Sequence, residues 1–142
     1  MTLRLDDVAG MRKALGKSQR QLADLVGVSI RAVQSYEQGW RTIPAYVTKL
    51  TSLMLFLKWR ETQHHVKPCW ELRQCAADIR ARCFAYQHRA GEYCWLVNGT
   101  WCAGKPASGW DEKVATCQKC SVVNRWLNGR AEKRPTHCRA GS

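Results

Sequence analysis

The residues best equipped for chemistry are eight cysteines, all in one half of the chain: Cys69, Cys75, Cys83, Cys94, Cys102, Cys117, Cys120 and Cys138. Five, seven, ten, seven, fourteen, two and seventeen residues separate successive members. Only Cys117 and Cys120 form a CxxC, in TCQKC. Such a tight loop can turn both sulfurs toward one point, which makes a good half-site for a metal. The other ligands must be brought in by folding. Three chemistries compete for these thiols. An iron–sulfur cluster needs about four thiolates in a protected pocket. Zinc takes four in tetrahedral geometry. Thiol–disulfide switching needs no metal. The candidate metal ligands are Cys69, Cys75, Cys83, Cys94, Cys102, Cys117 and Cys120. Cys138 is left out because it lies in RAEKRPTHCRAGS, a basic tail expected to be disordered.

Two of the cysteines head Cys-Trp pairs, in CWELRQC (69–75) and CWLVNGTWC (94–102). Trp70, Trp95, Trp101 and Trp110 are expected to build a small core. Each Cys-Trp pair then supplies one ligand and the wall beside it, as two similar turns around one site. His64, His65 and His88 are read as surface residues, and His137 belongs to the tail. CQKC has the form of a dithiol active site, but the βαβ context is missing. No paired carboxylates, Ser-His constellation or phosphate loop stands out, so no enzymatic activity is expected.

The formal charge is +12, and residues 1–67 and 68–142 each carry +6. A positive field over both halves favours a polyanionic partner. The N-terminus, MTLRLDDVAGMRK, lacks an apolar core of signal-peptide length, and LTSLMLFLKW (50–59) is too short to span a bilayer. The expectation is a cytoplasmic protein without membrane association, where clustered cysteines favour metal or redox roles over structural disulfides.

The elements that position these groups divide the chain. Residues 1–62 form a first domain, 63–68 a linker, 69–126 a cysteine-rich module and 127–142 the tail. In SQRQLADLVGVSIRAVQSYEQG (18–39), Ser18 and Gln21 make a capping box. Leu22, Leu25 and Val26 follow at helical spacing. Gly27 suits a left-handed turn, and Ser29 caps the next helix. Ala23 and Val33 fit a helix crossing. Two short helices around a glycine turn make a helix-turn-helix.

On Ala23, Gly27, Val33, Tyr36, Glu37, Gly39 and Pro44, residues 8–57 resemble the helix-turn-helix domain of the phage Cro/CI repressor family, or XRE type. The resemblance implies an all-α five-helix bundle, with helices near 5–15, 19–26, 30–38, 44–50 and 51–62. It also implies binding to double-stranded DNA. The second helix of the motif enters the major groove. By position, Ile30, Arg31, Gln34 and Ser35 meet base edges there. Arg31 suits guanine, Gln34 adenine and Ile30 a thymine methyl. Ser29 caps the reading helix, while Gln19 and Arg41 face phosphates. Trp40 is expected to pack on the bundle. Val47, Leu50, Met54 and Leu57 offer a homodimer seam, broadened by Leu53, Leu55, Phe56 and Trp59, or a face for the second module.

CWELRQC, CFAY, CWLVNGTWC and CQKCSV, from Cys69 to Val122, resemble the two-CW domain attached to bacterial signalling proteins. That resemblance implies a sensory or structural cysteine module, and the expected form is irregular, α+β and metal-stabilised. The irregular spacings and the neighbouring DNA-binding module favour an iron–sulfur cluster over zinc. The leading function is a sequence-specific DNA-binding transcriptional regulator with a metal- or redox-sensing module. The alternative is a DNA-binding antitoxin or adaptor whose cysteine module holds a protein partner.

Overall fold

A computed structural model describes residues 2–129. Cys138, His137 and the tail beyond Gly129 lie outside the described residues. The chain divides into two compact units, with the break between Thr62 and Gln63.

The first unit is helical: α1 (Val8–Ala14), α2 (Gln19–Val26), α3 (Ile30–Glu37) and α4 (Ala45–Arg60). Local chemistry sets each boundary. The Asp7 carboxylate accepts from Gly10 N–H to start α1. Ser18 and Gln21 complete both bonds of the capping box at α2. Gly27 ends α2 in the left-handed conformation, φ 77° and ψ 34°, with its N–H bonded to the Ala23 carbonyl. A side chain there is strained by about 1–2 kcal/mol, so glycine suits the turn. The Ser29 hydroxyl accepts from Ala32 N–H to start α3.

Leu5, Val8, Met11, Leu22, Val33 and Val47 are almost fully buried and form the core in which α1 and α2 pack on α4 and α3 packs on α1 and α2. Each such side chain contributes roughly 1.5–3 kcal/mol through burial. Helices of seven or eight residues are marginal alone, so this shared core holds them.

The expected five helices are four. The predicted helices 44–50 and 51–62 are the single helix α4, from Ala45 to Arg60. No glycine or proline interrupts 45–60. The polar residues at the expected break hydrogen-bond inside the helix: Thr51 Oγ1 donates to the Val47 carbonyl and Ser52 Oγ to that of Lys49.

The second unit contains α5 (Cys69–Leu72), α6 (Ala77–Arg82), α7 (Phe84–Gln87), a 3-10 turn (Cys94–Leu96), α8 (Trp110–Cys117) and α9 (Ser121–Leu127). The expected strands are absent among the described residues. The segments that come together do so through single bonds, Cys69 N–H to Gly91 O at 2.8 Å and Phe84 N–H to Gly99 O at 3.1 Å, and the sequence offers no alternating run to extend either into a ladder. Gly99 has φ +78°, and a Cβ there would enter the Phe84 ring.

Trp95 is fully buried and packs on Trp126, with centroids 4.6 Å apart and ring planes tilted by 37°. Val122, Val123 and Ile79 are also buried. Trp70, Trp101 and Trp110 are only half-buried. No helix of the described residues is long and apolar enough to cross a membrane.

Candidate nucleic-acid interface and thiol cluster

The crossing of α2 and α3 builds the first candidate surface. Arg31, Ser29 and Arg41 are exposed, and Gln19, Ile30, Gln34 and Ser35 are half-buried. Arg31 lies in the first turn of α3 with its side chain exposed. Gln34 is turned inward, with its Nε2 3.5 Å from Gln19 Oε1. Gln19 in turn donates to Glu37 Oε2. The other Glu37 oxygen accepts from Arg12 Nε at 2.6 Å. Arg12 also donates to the Lys17 carbonyl at 2.8 Å, which ties the α1–α2 turn to the same group.

One carboxylate thus ties together α1, α2 and α3. The Arg12 and Glu37 side chains are only 13% and 8% exposed, so the pair is shielded from water. Sequence reasoning marked Glu37 as part of the motif but did not connect it to Arg12, twenty-five residues away. It also passed over Arg20, exposed in the first turn of α2.

Arg41 sits over the Tyr36 ring, 5.7 Å from its centroid, which orients its charge beside the end of α3. Trp40, expected to pack on the bundle, is instead 75% exposed. Gly39, with φ +77°, turns the chain outward just before it, away from the filled core.

The helix-turn-helix family model matches residues 9–47. The N-terminal unit therefore carries an XRE-type helix-turn-helix. This is a DNA-binding motif, and it covers α1, α2, α3 and the start of α4. The match ends before the cysteine-rich unit. No curated protein and no solved structure matches the chain.

The second candidate surface is internal. Among the described cysteines, Cys69, Cys94, Cys117 and Cys120 are buried, and Cys75, Cys83 and Cys102 are half-buried. The two Cys-Trp pairs open two short turns, α5 and the 3-10 turn, and their cysteines meet in a thiol–thiol hydrogen bond. That bond holds the Cys94 thiol down, to about 7, aided by the charges of Lys113, Arg125 and Arg73 against the effect of burial. It pushes Cys69 up, as does burial. Burial also raises Cys102, Cys120 and Cys117, the last to about 12.

Two cations are built into this cluster. Arg73 Nη1 donates to Cys120 Sγ at 3.2 Å, and Nη2 to the Cys102 carbonyl at 3.2 Å. Lys113 is only 2% exposed, and its ammonium donates to Thr100 Oγ1 at 2.6 Å.

Cys69, Cys75, Cys83, Cys94 and Cys102 line a cavity of about 20 Å³. Cys117 and Cys120, the CxxC pair, do not line it, although they lie close enough to feel the charge of Cys94. Among the described residues, no three His, Cys, Asp or Glu side chains already form a group that could hold a metal ion. His64, His65 and His88 are exposed.

Proposed function

We propose that the protein is a sequence-specific transcriptional regulator that binds double-stranded DNA through α2 and α3, with the cysteine-rich unit setting its response. The observation that carries this reading is Arg31, exposed on the capped first turn of α3 in a matched helix-turn-helix. In the major groove its guanidinium suits the O6 and N7 acceptors of guanine. Ile30 and Ser35 flank it, and Gln19, Arg20 and Arg41 are placed for phosphates. Gln34 acts by bracing Gln19 as well as by reading. The regulator works as a homodimer on two half-sites. Val47, expected in the seam, is fully buried in the core, and Leu50 and Met54, half-buried, with Leu57, exposed, are the members of that stripe of α4 left to supply the seam.

The test is selection of duplexes from a random pool by the full chain, followed by fluorescence anisotropy on the selected site. A selected pair of half-sites, with a dimer seen in sedimentation, is expected. Enrichment of no sequence sinks the reading. The regulatory half has its own test. Operator affinity is compared between the intact chain and one with every cysteine changed to serine, and equal affinity rules out a response through the thiols.

A further inference from the structure

We infer that Trp40 is a DNA contact in its own right: its indole packs on the deoxyribose wall of the major groove and donates its N–H to a phosphate, adding affinity without sequence preference. The inference rests on the reading of α2 and α3 as a DNA-binding surface and deepens it.

Backbone placement is the first argument. α3 ends in a Schellman cap, with Gly39 N–H bonded to the Tyr36 carbonyl at 3.2 Å and Trp40 N–H to the Ser35 carbonyl at 2.9 Å. Gly39 supplies the left-handed residue that such a cap needs, with φ +77°. Trp40 is therefore fixed to the end of the reading helix.

Exposure is the second argument. An apolar residue at this place in the cap commonly packs back on the last turn of its helix. Gln34 and Ser35 occupy that turn, and both are polar. The ring is left 75% exposed, more than any other large hydrophobic side chain among the described residues. An indole held in water at a rigid position loses little freedom when a partner covers it, and tryptophans are enriched among the residues that carry binding energy.

Distance and charge choose the partner. α3 has eight residues and so spans about 12 Å, the width of the major groove. With Arg31 at the base edges, the capped end of α3 lies about one groove width away, where the groove wall is sugar and phosphate. Arg41 follows Trp40 directly, its guanidinium 5.7 Å from the centroid of the Tyr36 ring. An apolar ring beside a cation matches that wall. Deoxyribose offers the indole an apolar face, and phosphate oxygens accept from the indole N–H and from the guanidinium. Sugar and phosphate are the same at every base pair, so the contact strengthens binding to all sequences alike.

The test uses the full chain with the selected duplex and with random duplexes. Trp40→Ala should weaken binding to all of them by about tenfold or more and leave the ranking of sequences unchanged. No charge is lost, so its salt slope should equal the parent's, whereas that of Arg41→Ala falls. Trp40→Phe keeps an apolar ring and loses the N–H donor, and should cost about threefold. Duplex should quench or shift the parent's tryptophan emission, and most of that change should vanish in Trp40→Phe. An exposed side chain supports little of the fold, so Trp40→Ala should melt with the parent, which separates lost affinity from lost structure. Three results overturn the inference: Trp40→Ala binding within about twofold of the parent, a changed base preference, or a dimer that falls apart in sedimentation, which would give the indole to a second copy of the chain. A parent chain that selects no duplex refutes the DNA-binding reading itself, and this inference with it; a parent that selects a site while Trp40→Ala binds it equally well refutes this inference alone.

Discussion

Glu37 is where stability and recognition can be separated. Its carboxylate holds Arg12 through a contact of 2.6 Å and receives the Gln19 amide on its other oxygen. With side chains 13% and 8% exposed, neither ion can regain full hydration when the other is removed. Truncating one partner of a buried pair costs about 3–5 kcal/mol. Arg12 keeps its bond to the Lys17 carbonyl and a little exposure, so Glu37→Ala is placed lower, at about 2–4 kcal/mol. For a unit of this size, each kcal/mol shifts the melting temperature by about 4–8 °C, so a fall on the order of 10–20 °C is expected. The double variant Arg12→Met, Glu37→Met removes both charges and should return to within about 1 kcal/mol of the parent. Its DNA affinity should not recover fully. Gln19 still lacks its acceptor, and one lost hydrogen bond of about 0.5–1.5 kcal/mol is roughly a two- to tenfold weakening. Thermal unfolding of the full chain, with hydrogen exchange on α2 and α3 peptides to localise the loss, reads stability, and anisotropy on the selected duplex reads affinity. The reasoning fails if Glu37→Ala loses under about 1 kcal/mol, or if the double variant loses as much as the two single changes added together.

Three further outcomes are expected. Arg31→Ala should cost about 1–3 kcal/mol on the selected site and relax preference at one base position, whereas Arg41→Ala should weaken all sequences alike and lower the salt slope by about one, both measured by anisotropy across salt concentrations. Gly27→Val should destabilise the first unit by about 1–2 kcal/mol through backbone strain alone, because nothing lies within 4 Å of a Cβ there; chemical denaturation measures it. Trp95→Ala should cost about 3–5 kcal/mol and remove its tilted contact with Trp126, seen as lost exchange protection in the second unit with the first unit unchanged.

The first unit was legible because its boundaries are written locally. Ser18 with Gln21, Gly27 and Ser29 each act within a few residues, and each bond the pattern implies is present. Where the pattern was extended without a local signal, it failed. The break expected near residue 51 had no glycine or proline behind it, and α4 runs through. Trp40 was assigned to the bundle on apolarity alone, but the turn at Gly39 leaves it 75% exposed. The Arg12–Glu37 pair was invisible for a different reason. It joins α1 to α3 across a crossing that a linear reading locates but cannot populate with side chains.

The cysteine-rich unit shows the same limit more sharply. Spacing pointed to the CxxC because proximity in sequence is the only proximity a sequence displays. The fold instead gathers Cys69 and Cys94, twenty-five positions apart in the chain, into one buried cluster with Cys120, so that only one member of the CxxC joins them there. What singles out the cluster is a residue no metal motif would flag. Lys113 reads as one more surface cation in a chain of charge +12, yet it is buried against Thr100 and its charge falls on thiols. The outcome differs from thiol to thiol: beside Cys69 and the nearby cations the Cys94 thiol is held down to about 7, whereas burial outweighs the same Lys113 charge at Cys117 and pushes it up to about 12.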